Sequence, residues 1–493
     1  MRKARITLAA CITAVTAASV AASITGSTAT GSSALPAVRS SATAAREARV
    51  TVSPGAIRLP AAPTQGPSTT AQCEKAYGIA CFSPTQLRAA YRLPALYANG
   101  VTGKGVTIMI VDSFGSPTIS TDLATFDRQF GYPAPPKFTI IAPVGKIPKF
   151  NPNDPEMTDW AGETTLDVQY AHALAPGANI LLVETPVAET EGVTGFPQIV
   201  KAEEYALAHY KVGVISQSFS ATEETFTGYP QLAPLRAAYL DAERSHVTVL
   251  AASGDAGATD HETNEMQYYT RRVSSWPDTD PLVTAVGGTQ LRQTRTGYTS
   301  VAWNDTDDQA WNRYSGSIEP SPAASGGGTS EFFARPSYQN DVKAVTGAHR
   351  GVPDIAMSAA CDGSVSVYSS YQPGDAGWSL TCGTSEATPE FAAVVALADQ
   401  VAGHPLGLIN PALYTLEAEH APGITDVTSG NNTVSFNQLG ADQVLTVKGY
   451  PAGKGYDLVT GVGTVNSQQF VYELAGRFGS DNGQQFYYES AGR

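Results

Sequence analysis

The segment Gly383-Thr384-Ser385-Glu386-Ala387-Thr388-Pro389 runs into Phe391 to Ala398, an apolar stretch with the composition of a buried helix. A serine is thereby placed at a helix N-terminus, where unpaired N–H groups and the positive end of the dipole favour a developing negative charge. That setting suits a nucleophile whose attack creates an oxyanion. A serine that merely caps the helix would look the same, so the reading depends on whether a base and an oxyanion donor accompany it. Gly383 permits close backbone approach, and Pro389 is expected to fit the first helical turn.

Histidine is the usual base for a serine, and the chain has seven, at 172, 209, 246, 261, 349, 404 and 420, in helix and loop contexts that single none of them out. A carboxylate is the alternative. Glu163 and Asp167 stand at i and i+4, on one helix face, with Tyr170 and Leu174 continuing the stripe, so both acids are expected to point inward. Like charges on a half-buried stripe raise at least one pKa, which makes a carboxyl useful for proton transfer. A solvated pair is the plainer reading, and the apolar continuation weighs against it. The third piece is Ser253-Gly254-Asp255, where a buried strand runs into a Gly-flanked acid; that acid is either a catalytic group or a turn former that bonds its own backbone.

These pieces need elements to position them. Apolar, β-branched runs recur at Val106 to Val111, Ile180 to Val183, Val212 to Ile215, Val247 to Ala251 and Val283 to Val286, and helical spacing fills the intervals, as in Thr164 to Leu174 and Ile199 to His209. Strands alternating with helices predict an α/β fold: a parallel central sheet with helices on both faces. Active sites in such sheets lie beyond the carboxyl ends of the strands.

Charge narrows the partners. The 493 residues carry a formal charge of −14, and from Cys73 onward 24 basic residues face 44 acidic ones. An acidic body repels nucleic acid and anionic membranes, so neither is expected as a partner. Arg2, Lys3 and Arg5 followed by an apolar run from Ile6 to about Ala22 read as an export signal, taken as residues 1–28. The mature protein is therefore expected to be secreted and extracellular, with no membrane association after signal removal, and monomeric. Residues 29–72 are rich in Ala, Ser, Thr and Pro and read as a flexible leader, 73–480 as the folded domain and 481–493 as a tail. Cys11 falls in the signal, which leaves Cys73, Cys81, Cys361 and Cys382. Three pairings are formally possible; closeness in sequence favours Cys73 with Cys81 and Cys361 with Cys382.

Together the pieces resemble a known family. Glu163 with Asp167, Ser253-Gly254-Asp255, Val286-Gly287-Gly288-Thr289, Ser325-Gly326-Gly327-Gly328, Val352-Pro353-Asp354 and Gly383-Thr384-Ser385 with Pro389 occur in the order found in the sedolisin (serine-carboxyl) peptidases. The resemblance runs from about Phe82 to about Phe470. It implies a subtilisin-like fold, protein or peptide substrates and action in acid. By match, Ser385 would be the nucleophile, Glu163 the general base and acid, Asp167 its orienting partner and Asp255 the oxyanion donor. The chemistry agrees: a carboxylate base works best near its own pKa, and an Asp donates to an oxyanion only while protonated.

The resemblance also implies one structural calcium ion, with carboxylates from Asp426 and Asp457 and carbonyls from Val427, Gly453 and Gly455 making an all-oxygen shell. Without it these segments are two turns, and Asp305, Asp307 and Asp308 are a solvated acidic loop. Three features depart from the pattern. Kumamolisin-like members extend the triad through a Glu and a Trp where this chain has Asp112 and Phe219, and members usually carry a long folded prosegment before the domain. A catalytically inactive binding protein on the same fold is the alternative from another class.

Overall fold

The computed structural model describes residues 57–60, 66–264, 267–308, 321–374, 376–438 and 443–479. The expected signal 1–28 and tail 481–493 lie outside them.

The apolar runs become an eight-stranded sheet: β1 Thr107–Ser113, β2 Phe138–Ile141, β3 Asn179–Thr185, β4 Val214–Gln217, β5 Thr248–Ala252, β6 Thr284–Thr294, β7 Gly297–Ala302 and β8 Ile355–Ser358. Their order is β2-β3-β1-β4-β5-β6-β7, with β8 beside β6. The β6–β7 hairpin is antiparallel, and every other pairing is parallel.

Alternation along each strand splits the apolar side chains between two helical layers. Ile108 and Ile110 of β1, with Ile180 and Leu182 of β3, join the core under α1 Ile119–Phe130, α2 Pro155–Leu174 and the long α5 Thr384–Ala402. Met109 and Val111, with Leu181 and Val183, face the opposite core under α3 Phe196–His209 and α4 Ala237–Arg244. Near-continuous apolar strands need this two-sided cover, because neither face of such a sheet can meet water without cost. No described helix is long and apolar enough to cross a membrane.

A second, four-stranded sheet has the order Ile57–Pro60, Gly377–Cys382, Ser364–Ser369, Cys81–Phe82. It corrects the expected leader, for Ile57–Pro60 pairs antiparallel with Ser379–Cys382, Arg58 opposite Thr381. A strand edge supplies backbone partners, so this segment forms without the apolar periodicity that composition showed to be missing. Likewise Thr69 and Gln72 form a reciprocal capping box that starts a helix at Thr70, ahead of the expected boundary at Cys73. The disulfides are Cys73–Cys81 and Cys361–Cys382.

Pro389 is also corrected. α5 already begins at Thr384, so Pro389 sits inside the helix and not in its first turn. Its missing N–H is the one that an uninterrupted helix would direct at the Ser385 carbonyl. The acidic loop is a third correction. Asp305 is buried, with Oδ2 accepting from Trp303 Nε1 and the Cys361 N–H, both at 2.7 Å, and burial pushes its pKa up to about 7.

Candidate functional site

Ser385 occupies the second residue of α5 and is 1 % exposed. Gly383 before it has φ 122°, a conformation that L side chains rarely adopt, and its N–H donates to the Ala359 carbonyl at 2.7 Å. The chain thus enters α5 from the strand Gly377–Cys382, tied at Cys382 by the disulfide to Cys361.

Asp255 follows the carboxyl end of β5 and reaches the same turn. Its Oδ1 accepts from both the N–H and the hydroxyl of Thr384, each at 2.7 Å, whereas Oδ2 has no hydrogen-bond partner. Burial pushes its pKa up to about 7, against the downward pull of the two Thr384 bonds. The glycine-rich segment explains the crowding here: a Cβ on Gly326 would stand 1.7 Å from the Ser253 carbonyl oxygen, so only glycine allows Gly326 N–H to bond Gly254 O at 2.8 Å. Ser325 Oγ in turn accepts from Gly288 N–H at 2.9 Å, which brings three of the family-like segments together.

Glu163 and Asp167 lie on α2, both fully buried, as the inward stripe predicts. Asp167 Oδ1 accepts from the Ser218 hydroxyl at 3.1 Å, and the carboxyl shares a hydrogen bond with Glu163. Its pKa is held well above the ordinary range by burial first, then by the charges of Glu163 and Asp112. Asp112, near the end of β1, is 1 % exposed and pushed up to about 7 by burial, with the Thr164 hydroxyl opposing and the Glu184 charge adding. Phe219 packs against Trp160 with ring centroids 6.4 Å apart. Three carboxyls, Glu163, Asp167 and Asp112, therefore form one buried acidic cluster.

The helices that carry the two halves, α2 and α5, pack directly against each other. Glu163 opens on a cavity of about 330 Å³ whose walls include Gly162, Val367, Tyr371 and Thr381, the last of these on the strand that leads to Ser385. A titratable pair beside a cavity and a serine at a helix N-terminus next to a buried acid make an arrangement able to move a proton and to receive a negative charge. Neither type nor spacing announces that Ser218 holds Asp167 or that Thr384 holds Asp255, because both contacts arise only from the tertiary structure. His172, the histidine on α2, instead bonds the Pro133 carbonyl at 2.8 Å.

The expected calcium ligands lie on two C-terminal turns. Gly455 N–H donates to Asp426 Oδ2 at 2.9 Å and Gly453 N–H to Asp457 Oδ2 at 2.8 Å. Asp457 Oδ1 accepts from the Val459 and Thr460 N–H groups at 2.9 and 2.8 Å. The donor set is oxygen only, which fits a hard cation. Among the described residues no group of three or more His, Cys, Asp or Glu could hold a metal, so a cation here would rely on carbonyl and water oxygens.

Comparison with known proteins bears on the fold and the family. Residues 153–419 match the model of the subtilase family. Kumamolisin of Bacillus sp. (strain MN-32) is 30 % identical over 390 residues, covering 78 % of this chain and 62 % of kumamolisin. Human tripeptidyl-peptidase 1 is 29 % identical over 363 residues, covering 70 % of this chain and 56 % of that protein. The chain thus spans less than two thirds of the length of these relatives. A solved structure of Pseudomonas sedolisin, a serine-carboxyl proteinase complexed with two molecules of pseudo-iodotyrostatin, superposes with a TM-score of 0.64 at 24 % identity, over 82 % of this chain and 99 % of that one. The fold is therefore subtilisin-like, as in sedolisin, and the chain belongs to the subtilase family.

Proposed function

We propose that this protein is a secreted serine-carboxyl endopeptidase that works in acid. The observation that carries the reading is the bonding of Asp255: two donors from Thr384 occupy Oδ1, so a proton on this carboxyl belongs on Oδ2, the atom without a partner. A neutral Asp255 beside the N-terminal turn of α5 can then donate to an oxyanion formed by attack at Ser385.

In that mechanism Glu163 takes the Ser385 hydroxyl proton as the oxygen attacks a peptide carbonyl. Asp167, kept protonated by burial and by its neighbours' charges, donates to Glu163 and holds it in place. The tetrahedral intermediate collapses as Glu163 returns the proton to the leaving amine, and an acyl-enzyme on Ser385 remains. Water then repeats the sequence with Glu163 as base. Glu163 must start ionised and Asp255 must stay neutral, and burial, which pushes the Asp255 pKa up to about 7, lets it stay neutral on the acid side of neutrality.

Residues 1–28 would direct export and be removed, which leaves an extracellular monomer acting on protein or peptide substrates. Asp426, Val427, Gly453, Gly455 and Asp457 would hold one calcium ion, whose contribution is to tie the two C-terminal turns together and not to enter the chemistry. The deciding assay incubates the purified protein with a denatured protein between about pH 3 and pH 7 and reads fragments by mass spectrometry. Internal cleavage in acid supports the reading, and no cleavage at any pH favours an inactive binding protein on the same fold.

A further inference from the structure

Two carboxyls that the proposed mechanism does not use lie directly behind the proposed nucleophile. Glu386 follows Ser385, Glu390 follows one turn later on the same face of α5, and both are fully buried. None of their four carboxyl oxygens has a hydrogen-bond partner, and neither residue enters an ion pair among the described residues. An isolated buried carboxylate is among the costliest groups a protein can hold, and two of them one turn apart repel each other as well.

The groups that face this pair offer little relief. Tyr91 feels both charges; its hydroxyl accepts the Ser358 N–H at 2.7 Å, and the Thr464 side chain is a further neighbour of it. Tyr170 of α2 also feels both, but its hydroxyl proton is committed to the Ser366 carbonyl at 2.9 Å. The Ser358 hydroxyl at the end of β8 comes close enough to favour an ionised Glu386 without the geometry of a hydrogen bond. Asp255 adds a third acid on the active-site side. No lysine, arginine or histidine is among the groups that act on either carboxyl.

We infer that Glu386 and Glu390 are a buried acid latch: carried as two neutral carboxylic acids, they keep the first turns of α5 seated, and their ionisation toward neutral pH loosens the turn that carries Ser385. That turn is a weak point of the helix, because Pro389 leaves the Ser385 carbonyl without its intrahelical donor. Repulsion at positions 386 and 390 therefore acts where α5 lacks one of its helical hydrogen bonds.

Burial is the first cause that holds both acids well above their ordinary 4.5, with Asp255 adding for Glu386 and Glu386 adding for Glu390. The sign follows. Above about 4.5 the unfolded chain gives up these protons while the folded chain keeps them, so stability falls as pH rises through that window. The effect on activity rests on the reading of Ser385 as nucleophile; the effect on stability does not.

The test compares wild type with Glu386→Gln/Glu390→Gln, which keeps the shape and removes the titration. In wild type, Tm should fall between about pH 4 and pH 7, and the double variant should show a clearly shallower slope, the remainder belonging to buried acids such as Asp112, Asp167, Asp255 and Asp305. The ratio of cleavage at pH 7 to that at pH 4 should rise about tenfold, the equivalent of moving the alkaline limb by one unit. An unchanged slope of Tm against pH overturns the latch, whatever the protein cleaves. If the double variant fails to fold, Glu390→Gln alone and the carboxylic-acid infrared band of native protein near pH 6 decide: loss of part of that band in the variant supports the latch, and an identical band overturns it. A rise of Tm at pH 7 on adding sodium, potassium or calcium that occurs in wild type and not in the variant also overturns it, since the pair would then be a cation site.

Discussion

Asp255 and Thr384 are joined twice, through the main-chain N–H and the hydroxyl of Thr384 on a single oxygen of Asp255, both at 2.7 Å. Because Thr384 is the residue before Ser385, the position of the acid is fixed relative to the serine by one peptide unit. The bond also selects which oxygen carries a proton.

Asp255→Asn and Asp255→Ala should therefore differ. Asparagine can donate at any pH, so it should keep part of the activity and shift the alkaline limb upward from the region of pH 7, where the native acid ionises. Alanine should lose about 10² to 10³ in kcat. Steady-state rates across pH check this, and equal damage from both substitutions with an unmoved profile would count against the role.

Ser385→Ala should remove nearly all turnover with little change in Tm, since one oxygen is lost at a position already enclosed by backbone. Glu163→Gln keeps the shape but cannot accept the serine proton, and should cost about 10² to 10⁴ in kcat. Retention of more than about a tenth of wild-type kcat, well outside that range, would remove Glu163 as the base.

The Cys361–Cys382 bridge, with a sequence separation of 21, ties the strand that delivers Ser385, and Asp305 fastens the same segment through the Cys361 N–H. Replacing both cysteines by serine should lower stability by about 3 kcal/mol, the loop-closure value for this length. Thermal unfolding of the paired variant measures it. A Tm equal to wild type would show that Asp305 and the surrounding strands suffice.

Chelation should lower Tm near pH 5 in wild type, and Asp457→Ala should be insensitive to it. A ligand that binds only the native state adds about 2.7 kcal/mol at a hundredfold excess over Kd, so the size depends on free calcium. Acid should weaken the effect as the carboxylates protonate. Identical Tm values for both proteins with calcium and with chelator would remove the site.

Much of this architecture is legible in the sequence because burial on both faces leaves a strong signature. The run Val106 to Val111 becomes Thr107–Ser113, Ile180 to Val183 becomes Asn179–Thr185, and the inward stripe of Glu163, Asp167, Tyr170 and Leu174 is fully buried. Phe138–Ile141 leaves no such signature, being a short strand at the edge of the sheet, incompletely buried along its length. Ile57–Pro60 is not announced by composition, since what the strand shows is backbone pairing with Ser379–Cys382. Asp305 reads as solvated beside Asp307 and Asp308, yet Trp303 and Cys361 draw it inside. No local spacing announces such contacts, and the same holds for Ser218 on Asp167.

The order of the strands has a consequence for synthesis. Glu163, Asp167 and Asp255 are translated first, whereas Ser385 and the long helix that seats it lie 222 positions after Glu163. α5 packs against α2, β4, β5 and β6, so the middle of the molecule is filled by one of the last elements to be made. A nascent or truncated chain that ends before Thr384 holds the three carboxyls but neither the hydroxyl nor the hydrogen-bond donors that fix Asp255. A chain cut short before this helix therefore leaves the three acids without the turn that would bring a serine to them.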